Sequence, residues 1–207
     1  MKVRLIYGLV IFIIVYSIER YIDHQNREKL FTNIELVNIA GKQRMYSQKI
    51  TKLALYANES PFKLLVINKE LEDAYHQFST THNKLSEQRK KGKSDVYLDE
   101  LFTNLESYYQ EIMINTIVLI ENTRNGVSSN NERTEEAIET IKKNENQFLH
   151  LMDKIVNQYE KEGKAIIEVS AARESTFNII FIALLAYIVF FVLLPDHSKK
   201  GGNVFNF

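Results

Sequence analysis

The sequence has no cysteine and no tryptophan, and only two prolines and seven glycines among 207 residues. The lack of cysteine excludes disulfides, thiolate metal sites and cysteine nucleophiles, and leaves the compartment open. So few backbone breakers argue against a many-stranded sheet and for long helices. Lys plus Arg equals Asp plus Glu, 26 of each, so there is no basic surplus to neutralise phosphates and nucleic acid is not an expected partner. A Gly-rich phosphate loop, a G-x-S-x-G elbow and a nucleophile-base constellation are also missing, so no enzyme is expected. His24, His76, His82, His150 and His197 never stand four residues apart. Asp73 with His76 is the one carboxylate-x-x-His pair on a helix, with no second copy to complete a site, so no metal and no cofactor are expected.

What is present starts with two apolar runs near the ends. Leu5 to Ile18 lies between Lys2/Arg4 and Glu19/Arg20. It is short for a span unless Val3 and the stem of Arg4 extend it. It reads as an uncleaved anchor rather than a signal peptide, because no small-x-small site precedes Glu19. Phe177 to Leu194 has Asn178 as its only strongly polar interruption and reaches the length of a membrane helix. Lys2 and Arg4 precede the first run, and Lys199 and Lys200 follow the second, so the positive-inside rule puts both termini in the cytoplasm. The expected division is 1–19 for the N-terminus and first transmembrane helix and 20–175 for a soluble bundle. Residues 176–195 form the second transmembrane helix and 196–207 a short cytoplasmic tail. For a bacterial inner-membrane protein this puts the bundle in the periplasm.

The soluble part reads as four amphipathic helices. The first runs from Glu19 to about Tyr56, broken by nothing but Gly41. Asn58 to Pro61 is a stop-and-restart signal, with Ser60 as N-cap and Pro61 at the first helical position. The second helix carries Leu64, Ile67, Leu71, Tyr75, Phe78, His82 and Leu85, and the charged run Arg89 to Lys93 ends it. Ser94 or Asp95 caps the third, whose apolar line is Leu98, Leu101, Leu105, Tyr108, Ile112 and Leu119. Residues 125–130 form a loop. The fourth, from about Glu132, shows Ile138, Ile141, Phe148, Met152, Ile155, Tyr159, Gly163 and Ile166, and feeds into the second span. The expected fold is all-α, an antiparallel up-down-up-down four-helix bundle flanked by two transmembrane helices.

One stretch of the first helix breaks the pattern. Steps of four and three from Leu30 trace a seam of Leu30, Ile34, Val37, Gly41, Arg44, Gln48, Thr51 and Leu55, apolar at both ends and polar in the middle. A guanidinium on a helix seam needs a carboxylate, a carbonyl or an outside anion, because an unpaired buried charge costs several kcal/mol. Arg44 can be read in two other ways. One is a solvent-facing residue, one position off the seam, and the other a residue paired with a glutamate of a neighbouring helix. Gly41 allows another backbone to approach, and Asn38, Ser47 and Gln48 supply polar groups around Arg44. A second row, Leu36, Ile39, Tyr46, Ile50 and Leu53, lies beside the seam, so one stripe can pack within the protomer while the other meets a second copy.

The stretch VNIAGKQRMYSQKI, residues 37–50, also resembles a known signature, roughly N-x-A-G-x-Q-R-M-x-S-Q-R. That signature belongs to the sensor domain at the N-terminus of type IV pilus methyl-accepting chemotaxis transducers, the PilJ-type domain, related to NarX-type nitrate/nitrite sensors. Asn38, Ala40, Gly41, Gln43, Arg44, Met45, Ser47 and Gln48 match. Met152 to Ala165 is similar to the last periplasmic helix of that domain. The resemblance implies a homodimeric periplasmic sensor in which Arg44 holds a small nitrate- or nitrite-like anion at the dimer interface, with Gly41 and Met45 beside it. Lys49 stands where arginine is usual and keeps the charge without the planar fork. Most relatives continue into an output module after the second span. Here the signal is expected to pass to a separate cytoplasmic or membrane partner. The rival expectations are a membrane-anchored helical interaction protein that has lost ligand sensing, and a truncated receptor.

Overall fold

The computed structural model describes residues 2–59, 64–91, 95–124 and 132–193, with the side chains of 2–5, 58–59, 64, 91 and 191–193 outside the description. Every described residue except Asp95 is helical. The four helices are α1 (Lys2–Glu59), α2 (Leu64–Lys91), α3 (Val96–Arg124) and α4 (Glu132–Tyr187), and α4 continues into a π-helical turn, Ile188–Leu193. The expected Ser60 cap, Pro61, the 125–130 loop, Lys199, Lys200 and the tail lie outside the described residues.

Local chemistry explains the α3 start. Asp95 is its N-cap: Oδ1 accepts from the backbone N–H of Tyr97 at 2.9 Å and of Leu98 at 3.4 Å, and its carbonyl accepts from Asp99 N–H at 2.8 Å. These bonds satisfy donors that the first turn otherwise leaves open. Between the two candidates of the sequence, Ser94 and Asp95, the cap is therefore Asp95.

The chain divides into two compact units, Phe31–Gly163 and Met1–Leu30 with Lys164–Phe207. In the first, parts of all four helices pack around one core. Most of the apolar lines read from α2, α3 and α4 are buried, with Leu71, Phe78, Leu85, Leu105, Ile112, Leu119, Ile141, Phe148, Met152 and Ile155 fully so, while Tyr75, Tyr108 and Ile166 are half-buried and Tyr109 takes the inward place on α3. Phe78 is the hub, its ring meeting Tyr109 of α3 at 5.1 Å and Phe148 of α4 at 5.2 Å between centroids. Polar contacts join the same helices. Asn68 Nδ2 donates to the Ile120 carbonyl at 3.3 Å, and Lys84 pairs with Glu35 at 2.6 Å. Gly163 gives α1 room near α4, since a Cβ there would meet Asn33 Oδ1 at 3.0 Å.

In α1 a buried row of Asn33, Leu36, Ala40, Gln43, Ser47, Ile50, Ala54 and Ala57 alternates in threes and fours, and Ile39 and Leu53, which with Leu36, Tyr46 and Ile50 make the second row read from the sequence, are buried beside it. It runs one residue behind the seam traced from Leu30, of which half is exposed, Leu30, Val37 and Arg44 are half-buried and Thr51 is buried. Ile34 is 54% exposed and Leu55 37%, and Gly41 and Gln48 are exposed too. The physical reason is side-chain size. Ala40, Ser47 and Ala54 bring the α1 backbone close to the core, and a stripe of small residues scores low on apolar content although it packs well.

In the second unit, α1 and α4 run side by side at the Gly8–Ile188 and Phe12–Phe181 contacts, the latter with ring centroids 5.3 Å apart. Outward-facing residues here are large and apolar, among them Ile6, Ile13, Ile179, Ile182 and Leu185. Among the described residues one helix is long and apolar enough to cross a membrane, Glu132–Phe190. Its most apolar window has a mean hydropathy of 1.5 and none of that window is buried.

Candidate functional site

The signature helix turns two faces in different directions. At 100° per residue, Ile34, Gly41, Arg44, Met45, Gln48 and Leu55 share one arc, with Asn38 at its edge, while Gln43 and Ser47 lie on the other side. Burial agrees: Asn38, Gly41, Met45 and Gln48 are exposed, Arg44 is intermediate, and Gln43 and Ser47 are fully buried. Five of the seven candidate residues thus lie together on an open face. Ser47 turns inward, where its hydroxyl donates to the Arg44 carbonyl at 2.9 Å and its own carbonyl accepts from Thr51 at 3.2 Å. Lys49 is half-buried and lies roughly 140° around the helix from Arg44, so the two cations do not share a face.

Arg44 is paired. Its Nε stands 2.8 Å from Asp153 Oδ1 of α4, with the two side chains 42% and 49% exposed. The approach is close but not aligned as a hydrogen bond, and Nε is shut off from solvent. Among the described residues nothing engages the terminal nitrogens of Arg44, so they can still accept a ligand. Around Gly41 there is open space within the protomer, since a Cβ there would meet nothing within 4 Å.

The inward residues form a polar layer that apolar periodicity did not reveal. Gln43 Nε2 donates to the Phe78 carbonyl at 2.7 Å and to the Thr81 hydroxyl, while its Oε1 is buried with no donor among the described residues. One turn along α2, His82 is buried and stacks on Tyr109, with centroids 3.6 Å apart and planes 7° from parallel. Its Nε2 lies 3.0 Å from Glu106 Oε2, and its Nδ1 is buried without a partner among the described residues. Burial lowers the His82 pKa and outweighs the opposing pull of Glu106, so the neutral ring is favoured. Burial likewise raises the pKa of the Tyr109 phenol. Gln43 could have been found from the Ala40, Ser47, Ala54 spacing. Glu106 carries no such signal, because its pairing with His82 joins two helices.

An all-helical bundle with a polar-charged arc on its first helix, and a last helix that runs into an apolar stretch of membrane-crossing length, defines a helical transducer-type module. The chain belongs to the PilJ family, the N-terminal domain of type IV pili methyl-accepting chemotaxis transducers, whose model matches residues 34–137, half of its length. Family membership carries a chemotaxis-related signalling role. The matched region holds the whole signature, and it ends before Met152 to Ala165, the second stretch of resemblance. Comparison with the curated proteins and with the solved structures gives no match.

Proposed function

We propose that the chain is a membrane-bound sensory module that takes a small oxyanion of nitrate or nitrite type at a homodimer interface and passes a conformational signal to a separate partner. The bundle is antiparallel, up-down-up-down, and periplasmic. Contact pairs support that topology. Along α1 and α2, Glu35 meets Lys84 and Gln43 meets Phe78, and along α2 and α3, Asn68 meets Ile120 and His82 meets Glu106, so one partner rises as the other falls.

The observation that carries the functional reading is the open arc of α1, where Arg44 stands among exposed Ile34, Met45 and Leu55 with nothing of its own protomer over Gly41. A second copy laid on this arc would bring two guanidiniums together. An anion about 4 Å from each gains roughly 4 kcal/mol per cation at an effective dielectric near 20, before desolvation. Asp153 offsets part of that attraction. The ligand therefore shares Arg44 with a carboxylate and uses the terminal nitrogens. Bringing the two first helices together by about 1–2 Å is a shift that helices can pass along their length.

The Arg44–Asp153 pair also favours a second reading, a membrane-anchored interaction protein in which Arg44 is a satisfied structural cation. Calorimetric titration of the full chain in detergent with nitrate and nitrite separates the two. Saturable binding lost in Arg44→Ala supports the sensor. No binding of either anion, or binding unchanged by the substitution, supports the interaction protein.

A further inference from the structure

The unit formed by Met1–Leu30 and Lys164–Phe207 contains a cleft of about 460 Å3 between α1 and α4. That volume is in the range of small-molecule sites. Its charges balance, with Arg20, Arg27 and Arg173 against Glu19, Asp23 and Glu174. Two of the arginines are engaged. Arg27 Nε donates to Asp23 Oδ2 at 3.0 Å, and Arg20 Nε donates to the Tyr16 hydroxyl at 3.1 Å and lies 3.9 Å from Glu19. Arg173 differs: its Nη1 is shut off from solvent, and among the described residues nothing pairs with it. Ser170, one turn before it on the same face, accepts from Asn26 at 3.1 Å and keeps its own proton to donate. Glu174 also has no counter-ion among the described residues.

The cleft therefore offers a guanidinium and a hydroxyl that lack an acceptor, next to a carboxylate that lacks a donor. A ligand with an oxyanion and an ammonium a few atoms apart satisfies all three. The position of the cleft narrows the choice. Phe177, where the apolar run of α4 begins, lines it one turn beyond Arg173, roughly 6 Å along the axis. Arginines at that depth, with apolar stems toward the hydrocarbon, meet lipid headgroups.

We propose that this cleft binds the phosphoethanolamine headgroup of a membrane phospholipid. Arg173 and Ser170 take the phosphodiester, and Glu174 takes the ammonium. The assignment rests on the membrane reading above. It predicts selectivity from chemistry alone. A quaternary choline has no N–H to give Glu174, and a glycerol headgroup has no cation, so both bind less well than ethanolamine.

The test is native mass spectrometry of the full chain released from nanodiscs of equal parts phosphatidylethanolamine, phosphatidylcholine and phosphatidylglycerol. The expected result is at least fivefold enrichment of phosphatidylethanolamine among retained lipids. Arg173→Gln should reduce it to the bulk ratio, Arg173→Lys to an intermediate one, and Lys164→Gln, outside the cleft, should leave it unchanged. Circular dichroism of each variant checks that it is folded. Enrichment that is absent, or unchanged in folded Arg173→Gln, overturns the assignment. Soluble phosphoethanolamine, titrated onto the chain in phosphatidylcholine discs, distinguishes the sources. Saturable binding of it without lipid enrichment overturns the lipid as ligand. Release of the chain from membranes by alkaline carbonate overturns the membrane reading and the assignment together, whereas an embedded chain with bulk-like lipids overturns the assignment alone.

Discussion

Asp153 Oδ1 lies 2.8 Å from Arg44 Nε, so the cation on the open arc of α1 carries a counter-ion from α4 within its own protomer. If Arg44 holds an anion, that carboxylate opposes it. Asp153→Asn should then tighten binding of nitrate or nitrite by roughly fivefold, corresponding to about 1 kcal/mol for relief of a partly screened repulsion. The cost in stability should stay within about 1 kcal/mol, because both side chains are about half exposed. Calorimetry on the Asp153→Asn chain measures it, and weaker binding in that variant would put the anion elsewhere.

Gln43 makes a different prediction from its neighbour in the signature. Its amide donates to the Phe78 carbonyl and the Thr81 hydroxyl, but Thr81 also donates to the Gln77 carbonyl at 2.7 Å, and the Gln43 Oε1 goes unsatisfied. Gln43→Ala leaves a cavity and should cost about 2–3 kcal/mol. Gln43→Met fills the same volume, removes the orphaned oxygen and should cost less than about 1 kcal/mol. Urea unfolding of the two variants gives the comparison. An equal loss in both would mean that the hydrogen bonds, rather than the volume, hold α1 to α2.

The contrast between Gln43 and Arg44 shows what was legible in the sequence. On α2, α3 and α4 the core is built mainly of Leu, Ile and Phe at three-four spacing, and the lines read from the sequence are buried except at Tyr75, Tyr108 and Ile166. On α1 the second row read from the sequence is the core-facing one, with Leu36, Ile39, Ile50 and Leu53 buried and Tyr46 packed against them, but Ala40, Gln43, Ser47 and Ala54 are buried beside it. The small and polar members of that face were missed because their neighbours Ile34, Val37 and Leu55 are more apolar, so the seam traced from Leu30 ran one residue away from them. Of the two alternative readings of Arg44, pairing with a neighbouring helix is the one present, with Asp153 of α4 in place of the expected glutamate. No local pattern ties residue 44 to residue 153, nor His82 to Glu106. Such pairs exist only once helices pack.

Tyr159 tests whether an unpaired buried hydroxyl is a cost. The residue is 3% exposed, its hydroxyl has no hydrogen-bond partner among the described residues, and burial drives its pKa upward. Tyr159→Phe removes that hydroxyl and keeps the ring. The variant should be more stable by about 1 kcal/mol, raising Tm by roughly 2–4 °C. Thermal unfolding followed by circular dichroism reads the shift. A lower Tm would show that the hydroxyl has a partner, such as an ordered water.

His82 sets a pH dependence whose sign follows from its burial. The folded state holds its pKa below the ordinary 6.5, so between the folded and unfolded values the unfolded chain binds more protons. The stability due to the neutral ring is fully present above about pH 6.5 and is lost as pH falls toward the folded pKa, at about 1.4 kcal/mol for each unit separating the two. Below the folded value this contribution stays flat. Glu106 works against the shift, because its carboxylate 3.0 Å from Nε2 stabilises the charged ring. Glu106→Gln should therefore lower the folded pKa further and deepen the acid loss. His82→Phe keeps the stack on Tyr109 and should flatten the profile through this window. Urea unfolding at pH 7.5, 6.5 and 5.5, with the His82 pKa followed by NMR, tests both. A wild-type chain as stable at pH 5.5 as at 7.5, with an unchanged profile in His82→Phe, would mean that the ring reaches water when it is protonated.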